Sequence, residues 1–144
     1  MFNYVVDTNI VMSMLISGKS HYLKLLSYYN FVFPQYLLFE LDEYNELIIE
    51  KTKLDFNQLQ EFTFKLFSSL TVVPSIVITQ QSFEIANKLC ERIDIKDISF
   101  VALSIETGFP LMTRDIPLYE GLRKQNYRQV ILFENFINDL YKMN

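Results

Sequence analysis

The sequence predicts an α/β fold of three layers, with helices covering both faces of a mostly parallel sheet. Short apolar runs rich in β-branched residues alternate with longer stretches that are apolar at every third or fourth position. Strands separated by helices in this way form βαβ units, which bury a parallel sheet on both sides. The 144 residues, 50% apolar and 15% aromatic, suffice for one core and show no linker, repeat or low-complexity stretch. One domain is therefore expected over residues 1–144.

Each element has its own signal. Phe2 to Val6 reads as a buried strand, ended by Asp7-Thr8-Asn9, three residues that favour caps and turns. Val11, Met14, Leu15, Leu23, Leu25 and Leu26 form a helical stripe interrupted near Gly18. Asn30 to Phe33 is the second strand. Pro34 suits the first turn of the next helix, which places Leu37, Leu38, Leu41, Tyr44, Leu47 and Ile48 on one face. Asp55 with Gln58 resembles a capping box, followed inward by Leu59, Phe62, Leu66 and Leu70. Thr71 to Val73 is extended, and Thr79 caps a helix through Phe83, Ala86, Leu89 and Cys90. Asp97 to Glu106 is helical and closed by Gly108. Pro110 to Thr113 is a strand, Leu118 to Lys124 a helix, Val130 to Leu132 the last strand and Glu134 to Tyr141 the last helix.

Composition excludes several chemistries. One Cys and one His cannot build a structural zinc site or a disulfide framework, and a lone cysteine fits a reducing compartment. Gly18, Gly108 and Gly121 are the only glycines, too scattered for a P-loop or a G-x-G-x-x-G turn. The N-terminal segment has no basic region, and the uncharged run Leu66 to Phe83 is broken by serines, glutamines and Pro74. No membrane span is expected, and the expected location is cytoplasmic. The net charge of −4 argues against a broad basic platform for nucleic acid.

The chemistry must then lie in the acids. In an open parallel sheet, ligands sit beyond the carboxyl ends of the strands. Asp7 follows the first strand, Asp115 follows the strand at Leu111 to Thr113, and Asp97 opens a helix facing the same edge. Glu40 lies about two turns into the helix after the second strand, with Leu38, Phe39 and Leu41 as neighbours. Singly, these acids have plain readings: Asp7 and Asp115 as turn or cap residues, Asp97 as an N-cap. Jointly, four carboxylates at one edge repel one another unless a hard divalent cation such as Mg²⁺ gathers them. Such a site can activate water against a phosphodiester. No Ser-His or Cys-His pair competes, since His21 is the single histidine and Cys90 falls in a core stripe.

At these residues the chain resembles the PIN-domain family of metal-dependent ribonucleases, which includes the toxins of VapBC-type toxin–antitoxin pairs. Val5-Val6-Asp7-Thr8-Asn9-Ile10-Val11 is similar to the family's opening motif, and Pro34 to Leu41 to the segment bearing its helical acid. Asp94 to Leu103, followed by Glu106-Thr107-Gly108, resembles the third motif; Pro110 to Asp115 resembles the fourth; Val130 to Leu140 resembles the closing strand and helix. The resemblance implies an α/β/α sandwich with strand order 3-2-1-4-5. It also implies Mg²⁺ or Mn²⁺ held by Asp7, Glu40, Asp97 and Asp115, and RNA as substrate. Asn9 and Thr113 would orient the acids or their waters, and Asp94 would be an auxiliary acid. The chain departs from many relatives after the fourth motif, where Ile116-Pro117-Leu118 replaces a further acid or Asn. That departure counts against a tightly held second cation.

Arg92, Lys96 and Arg114 flank the third and fourth motifs and read either as solvated surface or as phosphate contacts. Phe56, Phe62, Phe64 and Phe67 read first as core, with an antitoxin docking clip or a homodimer face as the other uses. The expected function is a metal-dependent endoribonuclease, the toxin of a toxin–antitoxin pair. Two rivals are a catalytically silent module that binds RNA or protein, and a phosphotransfer domain of the haloacid-dehalogenase or response-regulator type. The latter wants D-x-D or an adjacent acidic pair, whereas Asp7 is followed by Thr8 and Asn9. Removing Asp7, Glu40, Asp97 and Asp115 from the 17 acids leaves 13, which equals the 13 Lys+Arg. The net charge thus matches the candidate site's own.

Overall fold

The computed structural model describes residues 1–143. Strand β1 (Phe2–Val6) lies at the centre, flanked by β2 (Tyr29–Pro34) and β4 (Leu111–Thr113), with β3 (Thr71–Val73) and β5 (Val130–Leu132) outside. The order is β3-β2-β1-β4-β5, and every pairing is parallel. Val5 faces Val32 on one side and Leu111 on the other, so the carboxyl end of β1 opens between β2 and β4. This is the expected strand order.

The helices are α1 (Thr8–Ser17), α2 (His21–Leu25), α3 (Tyr36–Glu43), α4 (Asn45–Lys51), α5 (Phe56–Ser69), α6 (Gln80–Cys90), α7 (Ile98–Thr107), α8 (Ile116–Lys124) and α9 (Phe133–Met143). None is long and apolar enough to cross a membrane among the described residues. Val5, Val6, Val11, Phe31, Leu66, Val101, Leu103, Met112 and Leu122 belong to one continuous core.

Local signals explain the boundaries. Gly18 ends α1 in the left-handed region at φ 62°, and Gly108 ends α7 at φ 74°. Asp55 and Gln58 form the expected reciprocal box at the start of α5, and the Thr79 side chain accepts from Ser82 N–H to start α6. Glu106, at the end of the third motif, is turned away from the sheet edge. It accepts from Thr79 N–H at 2.8 Å and from Ser82 Oγ at 3.0 Å, clamping the start of α6.

Three expectations need correction. Pro34 ends β2 and does not open a helix; α3 begins at Tyr36, which puts Glu40 just over one turn in. The single helix expected through Ile48 is two, parted at Tyr44 (φ −96°, ψ 9°). The break lets α4 turn toward α1, where Ile48 is buried and Thr52 Oγ1 donates to Leu15 O at 2.9 Å. The phenylalanines of α5 are only partly core. Phe62 is buried and Phe67 packs edge-on against Phe33, but Phe56 and Phe64 are 57% and 77% exposed. Leu59, Phe62 and Leu66 already fill the inward stripe of this amphipathic helix, so Phe56 and Phe64 fall on its other face.

A candidate metal centre at the carboxyl edge of the sheet

A cleft of about 160 Å³ opens where β1 ends, lined by Asp7, Thr8, Asn9, Glu40, Tyr44, Asp94, Lys96, Asp97, Phe100 and Asp115. Four separate segments contribute its acids. Asp7 caps α1, its Oδ1 accepting from Ile10 N–H at 3.1 Å, while its Oδ2 accepts from the Thr113 hydroxyl at the end of β4. Thr113 is fully buried and also accepts from Asp115 N–H at 3.0 Å. One hydroxyl thereby links the ends of adjacent strands. Asp115 caps α8, its Oδ1 accepting from Leu118 N–H at 3.0 Å. For Asp7 and Asp115 the cap reading and the site reading coexist, because each cap bond takes only one carboxylate oxygen.

Asp97 differs. It stands at the start of α7 but makes no side-chain cap bond, and its Oδ2 is buried without any hydrogen-bond partner among the described residues. The N-cap reading therefore fails for Asp97. The cap-like bond in this loop belongs to Asp94, whose Oδ1 accepts from Lys96 N–H at 2.9 Å. A buried carboxylate oxygen with no partner is costly unless it is protonated or meets a cation.

Glu40 reaches the cleft from α3. Its Oε1 accepts from Thr8 Oγ1 at 2.7 Å, across 32 residues of sequence. Thr8 is the cleft's main surprise, since the sequence presents it only as a turn residue between Asp7 and Asn9. Asn9, expected with Thr113 to orient the acids or their waters, lines the cleft but is exposed and makes no side-chain hydrogen bond among the described residues. The hydroxyls that hydrogen-bond the acids are those of Thr8 and Thr113. Tyr44 and Phe100 also line the cleft, with no chemical signal in the sequence beyond their apolar spacing.

The electrostatics are those of crowded acids. Burial pushes Asp7 up to about 6; its bonds to Thr113 and Ile10 pull it back, and Asp115 and Glu40 push it further up. Asp97 is pushed up to about 7, first by burial and then by Asp115, Asp94, Asp7 and Glu40. Glu40 is raised by burial, partly offset by Thr8 and Lys96. Burial also raises the Tyr36 phenol, with Glu40 and Glu43 adding to it. Cys90 is buried in the core, its thiol pushed up to about 12 by burial and by Asp97 and Asp94, so it is no nucleophile.

Of the candidate cations, only Lys96 lines the cleft. Arg114 pairs with Glu134 at 2.8 Å on the surface, and Arg92 is exposed outside the lining. No three acidic, His or Cys side chains close into a ready-made cage among the described residues. The donor set nonetheless suits a hard cation that keeps much of its water and takes one or two carboxylates directly. Asp97 Oδ2 supplies an oxygen with no other use in the structure.

Known proteins share this fold. The fold is similar to that of PAE2754 from Pyrobaculum aerophilum, with a TM-score of 0.65 at 15% identity over 98% of both chains. It is also similar to VapBC2 from Rickettsia felis, solved with a DNA fragment from their promoter. There the TM-score is 0.62 at 18% identity, over 91% of this chain and 97% of that one. At these identities the likeness is one of fold. No curated protein matches the sequence. The PIN domain family model matches residues 5–133, spanning all the acids of the cleft. With its strand order, its strand-end acids and that match, the chain belongs to the PIN-domain family.

Proposed function

We propose that the protein is a Mg²⁺- or Mn²⁺-dependent endoribonuclease and the toxin of a toxin–antitoxin pair. The partnerless buried oxygen of Asp97, in one cleft with Asp7, Glu40 and Asp115, carries this reading. Asp7, Asp97 and Asp115 would hold the cation directly or through water, and Glu40 would serve as the helical acid beside them. When bound, the cation supplies charge neutralisation, an activated water and stabilisation of the leaving oxygen.

The chain's own residues do the positioning. Thr113 and Ile10 N–H fix both oxygens of Asp7, so that carboxylate enters with its orientation set. Thr8 holds Oε1 of Glu40, leaving Oε2 to accept a proton from an attacking water. Lys96, which lines the cleft, would meet a phosphate oxygen.

Likeness to VapBC2 supports the toxin–antitoxin context. The antitoxin's place would be the groove of about 700 Å³ between α4 and α5, lined by Ile49, Phe56 and Phe64. A homodimer face is the other use of that groove, and light scattering of the purified chain separates the two.

Cleavage of RNA by purified protein in Mg²⁺ or Mn²⁺ tests the activity, with Asp7→Asn as the comparison. The wild type should cut and the variant should lose at least about a hundredfold in rate. Equal cleavage by both would place the activity elsewhere. One observation favours a second reading, a silent module that binds RNA or protein. After Asp115 the chain offers Ile116 and Pro117, then Leu118, which is buried in the core and cannot supply another ligand. Absence of Mn²⁺ binding at millimolar concentration by calorimetry would favour that reading.

A further inference from the structure

Helix α3 carries more than its acid. Tyr36, Phe39, Glu40 and Glu43 recur at helical spacing and share one face. The Tyr36 and Phe39 rings stack at 5.9 Å with 25° between their planes. Tyr36 in turn meets the edge of Phe100 at 6.2 Å, and Phe100 lines the acidic cleft. The three rings form a ladder that rises from buried Phe100 through half-buried Tyr36 to Phe39, which is 59% exposed. Tyr36 supports Phe39 from one side, and the phenyl ring remains largely open to solvent.

We infer that the Phe39–Tyr36 stack is a nucleobase-stacking subsite beside the acidic cleft, taking an unpaired base next to the scissile phosphate of single-stranded RNA. The inference rests on the RNA reading above and adds a base-binding subsite to it. Its occupant follows from what surrounds it. Lys96 is the only cation in the cleft lining among the described residues, so the cleft itself offers no row of phosphate contacts. Three acids, Glu40, Glu43 and Asp94, act on Tyr36 against one cation, Lys96, so the local charge disfavours a phosphate on the ladder itself. A base has a neutral π-face whatever its identity, and aromatic platforms beside a metal or cationic groove hold single strands in that way. In a duplex the base faces are already stacked and cannot reach Phe39.

The test uses the full chain with Ca²⁺ to slow cleavage, and a single-stranded hexanucleotide RNA carrying 2-aminopurine at successive positions. Binding should quench 2-aminopurine most at one position. Phe39→Ala should weaken binding by roughly 5- to 150-fold and abolish that quench, while Phe39→Trp restores both. Phe39 is exposed, so the variants should melt as the wild type does. A duplex of the same sequence should bind weakly and ignore the Phe39 change. Equal affinity of Phe39→Ala and wild type, or equal binding of duplex and single strand, overturns the subsite. Cleavage in Mn²⁺ separates the two claims. A protein that cuts RNA without regard to Phe39 keeps the nuclease reading and loses the subsite. A protein that stacks the base but never cuts keeps the subsite and loses the nuclease.

Discussion

Replacing Asp7 by asparagine should stabilise the metal-free protein at neutral pH, although it removes a residue proposed to be essential. Asp7 is 4% exposed, and its carboxyl is pushed from 3.8 up to about 6. A carboxyl that binds its proton more tightly when folded favours the folded state at low pH. That advantage is lost as the pH rises from about 4 to about 6. At about 1.36 kcal/mol per pH unit, holding the charged form in the folded chain costs about 3 kcal/mol at pH 7.5. The asparagine carries no charge and avoids this cost. Its oxygen can accept from Ile10 N–H and its amide can donate to Thr113 Oγ1, but the Thr113 proton then loses its acceptor. That loss is worth about 1 kcal/mol, leaving a net gain of about 2 kcal/mol. The assay is urea unfolding in EDTA at pH 7.5 and pH 5.0. The variant's advantage should shrink by about 1.4 kcal/mol at the lower pH, where wild-type Asp7 is largely protonated. An Asp7→Asn protein no more stable than wild type at pH 7.5, or an advantage that ignores pH, would refute the reasoning. It would mean that Asp7 is solvated or paired in a way the structure does not contain.

Other expectations follow from the same geometry. Because Asp7 and Asp97 hold protons up to about 6 and about 7, cation binding must displace them. Mn²⁺ affinity should rise with pH between 5.5 and 8 with protons released, and calorimetry in two buffers of different ionisation heat reads both; a constant affinity contradicts it. Thr8→Val removes the 2.7 Å bond to Glu40 while keeping the branched shape. Cleavage should fall about 10- to 100-fold with little change in melting temperature, and unchanged cleavage would show that Glu40 needs no support. Gly18→Ala should destabilise by about 1–3 kcal/mol in urea unfolding, because φ is 62° and the new Cβ would lie 2.5 Å from Leu54 Cγ. A neutral result would mean that both the chain and Leu54 shift freely there.

Much of the fold was legible because it is written in short-range patterns. The Asp55–Gln58 box, the Gly108 stop and the β-branched run of β1 each act within a few residues. Asp7, Asp97 and Asp115 were legible as candidates because strand ends and helix starts can be located without knowing what packs where. Glu40 stood out as a charge among apolar neighbours. The Thr8–Glu40 bond and the Thr113 bridge were not legible at the atomic level. They join residues 32 and 106 positions apart, and no local period encodes which hydroxyl meets which acid.

The same division separates the helices. Sequence periodicity determined that one helical stripe would run from just after β2 through Ile48, and Leu37 and Ile48 do point inward. Only docking against α1 decided that the chain would part at Tyr44, where no Gly or Pro marks a break. Periodicity likewise put Leu59, Phe62 and Leu66 on the inner stripe of α5, but it also offered Phe56 and Phe64 to the core, and only the packed structure left those two outside. Asp97 is the sharpest case. By sequence it is the residue that should cap α7, and a local cap would have satisfied it. The sheet edge and Asp115 decide otherwise, since burial among other acids raises its proton affinity and leaves Oδ2 without a protein partner. The sequence by itself determined which acids the chain carries and at which element ends. The tertiary structure decided their crowding and therefore their charge, because burial and Coulomb repulsion depend on distances in space.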